Sequence, residues 1–268
     1  MDLKAKTREI RRLTLQCIAS IGVGHVGGCL SIAEVMSVLY SKHMRVDPKN
    51  PQKAGRDRLV LSKGHAGPAW YATLASFEYF DKSELLTLNK IGTKLPSHCN
   101  MQLTTGVDMT AGSLGQGISC GVGLAVGSKL AKDGARIYVI VGDGESQEGQ
   151  VWEAAMFAAH HKLDNFTVFV DNNKMQIDGL TKDVCNVESL AAKWAAFGFD
   201  VQEVNGHDED AIDLAITNAK KVVGKPTCII LDTIKGHGVS IFEQMGFANH
   251  SCNVSQEQLQ IALNELED

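Results

Sequence analysis

The sequence predicts an α/β fold: an open, largely parallel sheet with helices on both faces. Three observations carry that expectation. Apolar runs of strand length, at residues 57–62, 137–141, 166–170, 200–204 and 227–232, alternate with stretches of helical pattern. Residues 138–176 read as strand, Gly142-Asp143-Gly144 turn, helix and strand, which is one βαβ unit. The two strands of such a unit lie parallel and end on the same edge of the sheet. No stretch has the composition of a linker, so residues 1–268 are expected to form a single domain.

Residues 4–21 read as an amphipathic helix. Ile10, Leu13, Leu15 and Ile18 oppose a solvated basic face of Lys4, Lys6, Arg8, Arg11 and Arg12. A glycine-rich loop, Gly22-Val23-Gly24-His25-Val26-Gly27-Gly28, breaks it, and Ser31 with Glu34 is expected to form a capping box for a helix reaching about Lys42. The strand at 57–62 leads through Lys63-Gly64-His65 into a helix over 68–77. Asp81 and Glu84 begin another helix that ends near Lys90, and a long loop carrying Pro96-Ser97-His98 runs to Met109. Ala111-Gly112-Ser113-Leu114-Gly115-Gln116-Gly117 starts a long helix, with Ser113 and Gln116 as its capping box. Gly117, Gly121, Gly123 and Gly127 give that helix a small-residue face, which suits close packing on the sheet or a dimer seam. Beyond the central unit come a turn at Ile177-Asp178-Gly179 and helices over 188–197 and 208–223. Lys235-Gly236-His237-Gly238 follows the last strand, and Ser255 with Gln258 caps a final helix.

The totals narrow the function classes. A chain of 268 residues can bury a sizeable core. A net charge of −5 with mixed signs argues against nucleic acid or an anionic membrane as partner. Seven scattered cysteines with no CxxC pair form neither a disulfide framework nor a zinc signature, and they suit a reducing cytoplasm. The start lacks the apolar core of a signal peptide, and no apolar run approaches the roughly 20 residues of a membrane span.

Chemistry concentrates at strand ends. Asp143 and Asn173 lie 30 positions apart, yet the βαβ unit turns both toward one volume. A carboxylate and an amide oxygen are hard donors suited to Mg²⁺ or Ca²⁺. His65 sits at a strand-to-helix turn, where α/β proteins bind ligands or where a histidine simply caps a helix. His25 and His98 lie in loops and say little alone.

Four separated motifs, Gly-His-Val-Gly-Gly, Ser-Lys-Gly-His-Ala, Gly-Ser-Leu-Gly-Gln-Gly and the GDG…NN pair, together resemble the N-terminal, diphosphate-binding domain of transketolase, over residues 5–240. Because the chain stops before the family's pyrimidine-binding domain, it looks like the N-terminal subunit of a split, two-chain transketolase. The resemblance implies the thiamine diphosphate-binding fold and transfer of a two-carbon ketol unit from a ketose (phosphate) to an aldose (phosphate). It implies thiamine diphosphate and Mg²⁺, with Ca²⁺ or Mn²⁺ as substitutes, held by Asp143, Asn173 and the Met175 carbonyl. His65, Ser113 and the backbone at Gly112, Leu114 and Gly144, with Lys235, would hold the cofactor, and His25 and His98 the donor's hydroxyls. A late family histidine matches His250 one position out of step, with His237 as substitute. Val26 stands where relatives more often carry proline or serine. Glu148 and Glu153 match acidic residues between two cofactor sites. The implied partner is a C-terminal transketolase subunit in an α₂β₂ assembly, the implied substrates pentose-phosphate or more specialised sugars. GDG…NN would equally serve a 2-oxo-acid dehydrogenase, a decarboxylase or a deoxyxylulose-phosphate synthase, and a non-catalytic scaffold is the remaining alternative.

Overall fold

A computed structural model describes residues 2–267. Its centre is a sheet of five strands: β1 (Arg58–Leu61), β2 (Ile137–Gly142), β3 (Phe166–Asn172), β4 (Asp200–Asn205) and β5 (Thr227–Asp232). They lie in the order β1-β2-β3-β5-β4, and every pair is parallel. Side chains alternate between faces along each strand. Tyr138 and Ile140 of β2 join one core with Phe169, Ile229 and Leu231, beneath helices Leu3–Ala19, Ala33–Val38, Gly67–Ser76 and Glu209–Ala219. Ile137, Val139 and Val141 join the opposite core with Val168, Val170 and Ile230, beneath helices Gln116–Ala131, Gly149–His160 and Leu190–Ala196. Burial on both faces is why these strands read as unbroken apolar runs.

Several local expectations change. Arg11 is not on a solvated face; it is buried and ion-paired to Glu34 at 2.5 Å. That pair removes the Ser31–Glu34 capping box, since Glu34 is spent on Arg11 and the Ser31 hydroxyl donates to Asp171 at 2.7 Å. The segment then divides into helices Val26–Leu30 and Ala33–Val38 and a π-turn Leu39–His43. Residues after Asp81 form a 3₁₀ run, Lys82–Thr87, rather than an α-helix to Lys90. The glycine-rich helix begins at Gln116, capped by Gly115 in a left-handed conformation with φ +83, so the Ser113–Gln116 box is absent too. The Ser255–Gln258 box is present.

The small-residue face of helix Gln116–Ala131 divides by position. A Cβ on Gly117 would fall 2.6 Å from the Ser62 Cα, and one on Gly121 would fall 2.5 Å from the Val139 Cγ2. Those two glycines let the helix settle onto β1 and β2. Gly123 and Gly127 face open space. Among the described residues no helix is long and apolar enough to cross a membrane, and all seven cysteines are free.

Candidate active site

The C-terminal ends of β1, β2, β3 and β5 run into one cleft of about 340 Å³. It brings together His25, His65, His98, His250, Gly112, Leu114, Asp143, Gly144, Asn173, Met175 and Lys235, which come from widely separated parts of the sequence. Of the sequence-predicted set, Ser113 is exposed and does not line it. Glu148 does, whereas Glu153 is exposed on helix Gly149–His160.

Asp143 follows β2 and is 2 % exposed. Its Oδ1 accepts the Gly144 N–H at 2.7 Å and its Oδ2 the Lys174 N–H at 2.5 Å. Burial, followed by the charge of Asp171, pushes its pKa up to about 7. No cationic side chain of the described residues forms an ion pair with it. Asn173 donates Nδ2 to Asp171 at 3.0 Å and accepts the Met175 N–H on Oδ1 at 3.1 Å. The Met175 carbonyl accepts from Lys235 Nζ at 3.3 Å. A buried carboxylate, an amide oxygen and a carbonyl make a donor set that fits a hard divalent ion.

Four imidazoles line the same cleft. Ring centroids lie 5.2 Å apart for His25 and His65, 5.7 Å for His25 and His98, 5.4 Å for His25 and His250, and 5.1 Å for His65 and His250. None has a carboxylate partner among the described residues. Burial, His98 and Lys235 lower the pKa of His25. Burial and Lys63 hold His65 well below the usual imidazole range. Burial and Lys235, whose Nζ lies 3.1 Å from its Nδ1, take His250 to about 3. These three rings are neutral near pH 7.

His237 is not in this group. It stacks on His207 at 3.6 Å, with its Nδ1 3.0 Å from Glu243, in a cluster sealed by Glu34 and Arg11. Glu34, His207 and His237 bring ligating atoms close together, but they are not arranged for a metal. The rings lie only 24° from parallel, so their in-plane lone pairs do not converge. His207 Nε2 accepts the Ile234 N–H at 2.8 Å, which leaves the proton on Nδ1 facing Glu34.

Sequence reasoning missed three buried charges. Lys63, 2 % exposed, lines the cleft and donates to the Gly28 carbonyl at 2.7 Å and to Asp171 at 2.5 Å. Asp171 is fully buried. Glu145 accepts the Ser62 hydroxyl and the N–H groups of Gly115 at 2.8 Å and Gly142 at 3.0 Å, which fastens the Gly112–Gly115 loop to the Gly-Asp-Gly turn. Each adjoins a motif the sequence displays, but nothing in the sequence marks a charge as buried.

A family model described as the transketolase thiamine diphosphate binding domain matches residues 3–266. The chain belongs to the transketolase family. A 6-deoxy-6-sulfo-D-fructose transketolase subunit, SqwG, of Clostridium sp. (strain MSTE9) is 52% identical over 100% of this chain and 97% of its own length. An apulose-4-phosphate transketolase subunit from Phocaeicola vulgatus is 36% identical over 99% of this chain and 94% of its own. The crystal structure of transketolase from Campylobacter jejuni superposes with a TM-score of 0.91 at 33% identity. That match covers 99% of this chain but only 43% of the solved one. The transketolase from Leishmania mexicana gives 0.92 at 30% identity and 41% of its length. The chain thus spans about two-fifths of these solved transketolases. As a transketolase chain it has the thiamine diphosphate-binding fold, and the cleft lies where strand ends of that fold meet.

Proposed function

We propose that this chain is the diphosphate-holding subunit of a two-chain transketolase, acting as one domain, with the rest of the active site supplied by a second polypeptide. The reading is carried by one observation: four histidines, three of them held neutral, share a single cleft with a buried aspartate that no cationic side chain of the described residues pairs with. Asp143, the Asn173 Oδ1 and the Met175 carbonyl would hold Mg²⁺. His65, the backbone at Gly112, Leu114 and Gly144, and the ammonium groups of Lys63 and Lys235 would hold the diphosphate. Ser113 would contribute through its backbone, since its side chain is exposed. When bound, thiamine diphosphate supplies the electron sink for cleaving the ketose C2–C3 bond.

The chain's own residues would bind the sugar and move protons. A ketose entering the cleft meets His25, His98 and His250 on its hydroxyl side. Cleavage next to a hydroxyl requires that the hydroxyl lose its proton, and a neutral imidazole can take it and later return it to the acceptor. Burial, with a further contribution from Lys235, lowers the pKa of His25 and His250, as burial and Lys63 do for His65.

The names of the relatives suggest which donors to try first. A ketose with an anionic terminus is the first donor to examine: 6-deoxy-6-sulfofructose, then apulose 4-phosphate and the pentose phosphates. Seven free thiols accord with a cytoplasmic setting. The test is to copurify the partner chain and screen ketose donors against aldose acceptors with Mg²⁺ and thiamine diphosphate. Ketol transfer from at least one ketose is expected. Turnover of pyruvate with no ketose accepted would overturn the reading in favour of another thiamine diphosphate enzyme.

A further inference from the structure

Asp171 is the most heavily bonded side chain near the cleft, yet it does not line it. Its Oδ2 accepts from the Ser31 hydroxyl at 2.7 Å, Lys63 Nζ at 2.5 Å and Asn173 Nδ2 at 3.0 Å, and its Oδ1 accepts from the Thr233 hydroxyl at 2.5 Å. These donors come from four segments, and each of those segments carries a cleft residue: His25, His65, Asn173 and Lys235.

The bond to Asn173 has a particular consequence. An amide is two-faced, with an oxygen on one side and an NH₂ on the other. Oδ2 of Asp171 is already accepting from a hydroxyl and an ammonium, so only the NH₂ side of Asn173 can face it. The Asn173 Oδ1 is thereby turned toward the Met175 N–H and the volume it shares with Asp143. We propose that Asp171 is a positioning residue: it fixes the Asn173 amide so that oxygen, and not nitrogen, is offered to the divalent cation. This rests on the metal site proposed above. Groups that orient metal ligands from behind typically govern metal affinity by roughly 10- to 100-fold.

The experiment measures Mn²⁺ binding to the complex of this chain with its partner, in the presence of thiamine diphosphate, from the loss of the free-ion electron paramagnetic resonance signal. In Asp171→Asn, an amide at 171 can donate to the Asn173 oxygen and draw it away from the cation. Mn²⁺ affinity is expected to fall by roughly 10- to 100-fold. Adding Asn173→Asp to that variant restores an oxygen on both sides of residue 173 and should recover most of the loss. Ser31→Ala removes one donor to Asp171 without touching the amide, so its affinity should stay within about twofold. If Asp171→Asn binds Mn²⁺ as the unmodified complex does, the positioning role is wrong while the metal site stands. An equal loss in Ser31→Ala, or no recovery in the double variant, reduces Asp171 to a structural anchor and overturns the inference. Should Asp171→Asn fail to fold, Asp171→Glu is measured in its place: a longer carboxylate that displaces the Asn173 amide should weaken Mn²⁺ binding, and unchanged affinity overturns the inference. If the unmodified complex binds no Mn²⁺, the metal site and the inference fail together.

Discussion

Two histidine clusters lie at the C-terminal edge of the sheet, and they are built on opposite plans. Behind the Lys235 loop, His207 and His237 stack on each other and reach the carboxylates of Glu34 and Glu243, while Arg11 neutralises Glu34. In the cleft, His25, His65, His98 and His250 have no carboxylate partner among the described residues, and the nearby carboxylate of Asp143 pairs with no cation. The first cluster finds its charge partners within the chain, although Arg11 Nε and Glu34 Oε2 are left without a hydrogen-bond partner. The second does so only in part: His25, His65 and His250 are held neutral, Lys63 is paired with Asp171, but among the described residues Lys235 has no carboxylate partner and Asp143 is a buried acid pushed up to about 7. A cation for Asp143 and an anion for Lys235 would complete such a set, and a metal-bound diphosphate would bring both.

Substitutions can break this contrast from either side. Arg11→Met strands Glu34 in the sealed cluster. Removing one partner of a buried pair costs roughly 3–5 kcal/mol, so urea unfolding should show a large loss of stability while metal affinity of the folded protein is kept. A loss of metal binding at unchanged stability would mean the sealed cluster is part of the site. Asp143→Ala should act in the reverse sense. A catalytic metal is worth several kcal/mol, so its loss should lower ketol transfer by about 1000-fold or more. Stability should change little, because removing a buried charge offsets the loss of its hydrogen bonds from the Gly144 and Lys174 N–H groups.

The histidines give a finer comparison. His25→Asn should reduce kcat by about 100-fold, the low end for losing a proton-transfer group, whereas His237→Asn should change kcat by less than about threefold. Similar effects at both positions would erase the distinction between the clusters. The smallest effect is on pH dependence. His25, His65 and His250 have folded-state pKa values below the ordinary 6.5, His250 at about 3, so as the pH falls through 6.5 the unfolded chain binds more protons. Their contribution is therefore present above pH 6.5 and lost as the pH falls. His250→Gln removes one such group, and its urea midpoint should drop less between pH 7 and pH 5 than that of the unmodified chain.

Much of this was legible in the sequence, for identifiable reasons. Strands buried on both faces announce themselves as apolar runs, and Thr227–Asp232 was read to the residue. The Gly-Asp-Gly turn and Asn172-Asn173 could be placed on one edge because a βαβ unit leaves no other choice. His250, one position out of register, reaches the cleft through the 3₁₀ turn Gly246–His250. That turn is held by Asn249, whose Nδ2 donates to the carbonyls of Lys235 and Phe242. What stayed hidden was burial of charge. Arg11 lies within a run that looks solvated, and Ser31 and Glu34 have capping-box spacing, yet tertiary partners claim all three. Lys63 and Asp171 sit 108 positions apart, and only the folded sheet edge brings them together.

The central claim is that this chain holds half of an active site. The direct measurement is ketol transfer from a ketose donor to an aldose acceptor, with Mg²⁺ and thiamine diphosphate, by the purified chain alone and again after the partner chain is added. The account predicts no turnover above background for the chain alone and turnover on addition of the partner. Full activity from the chain alone would contradict it.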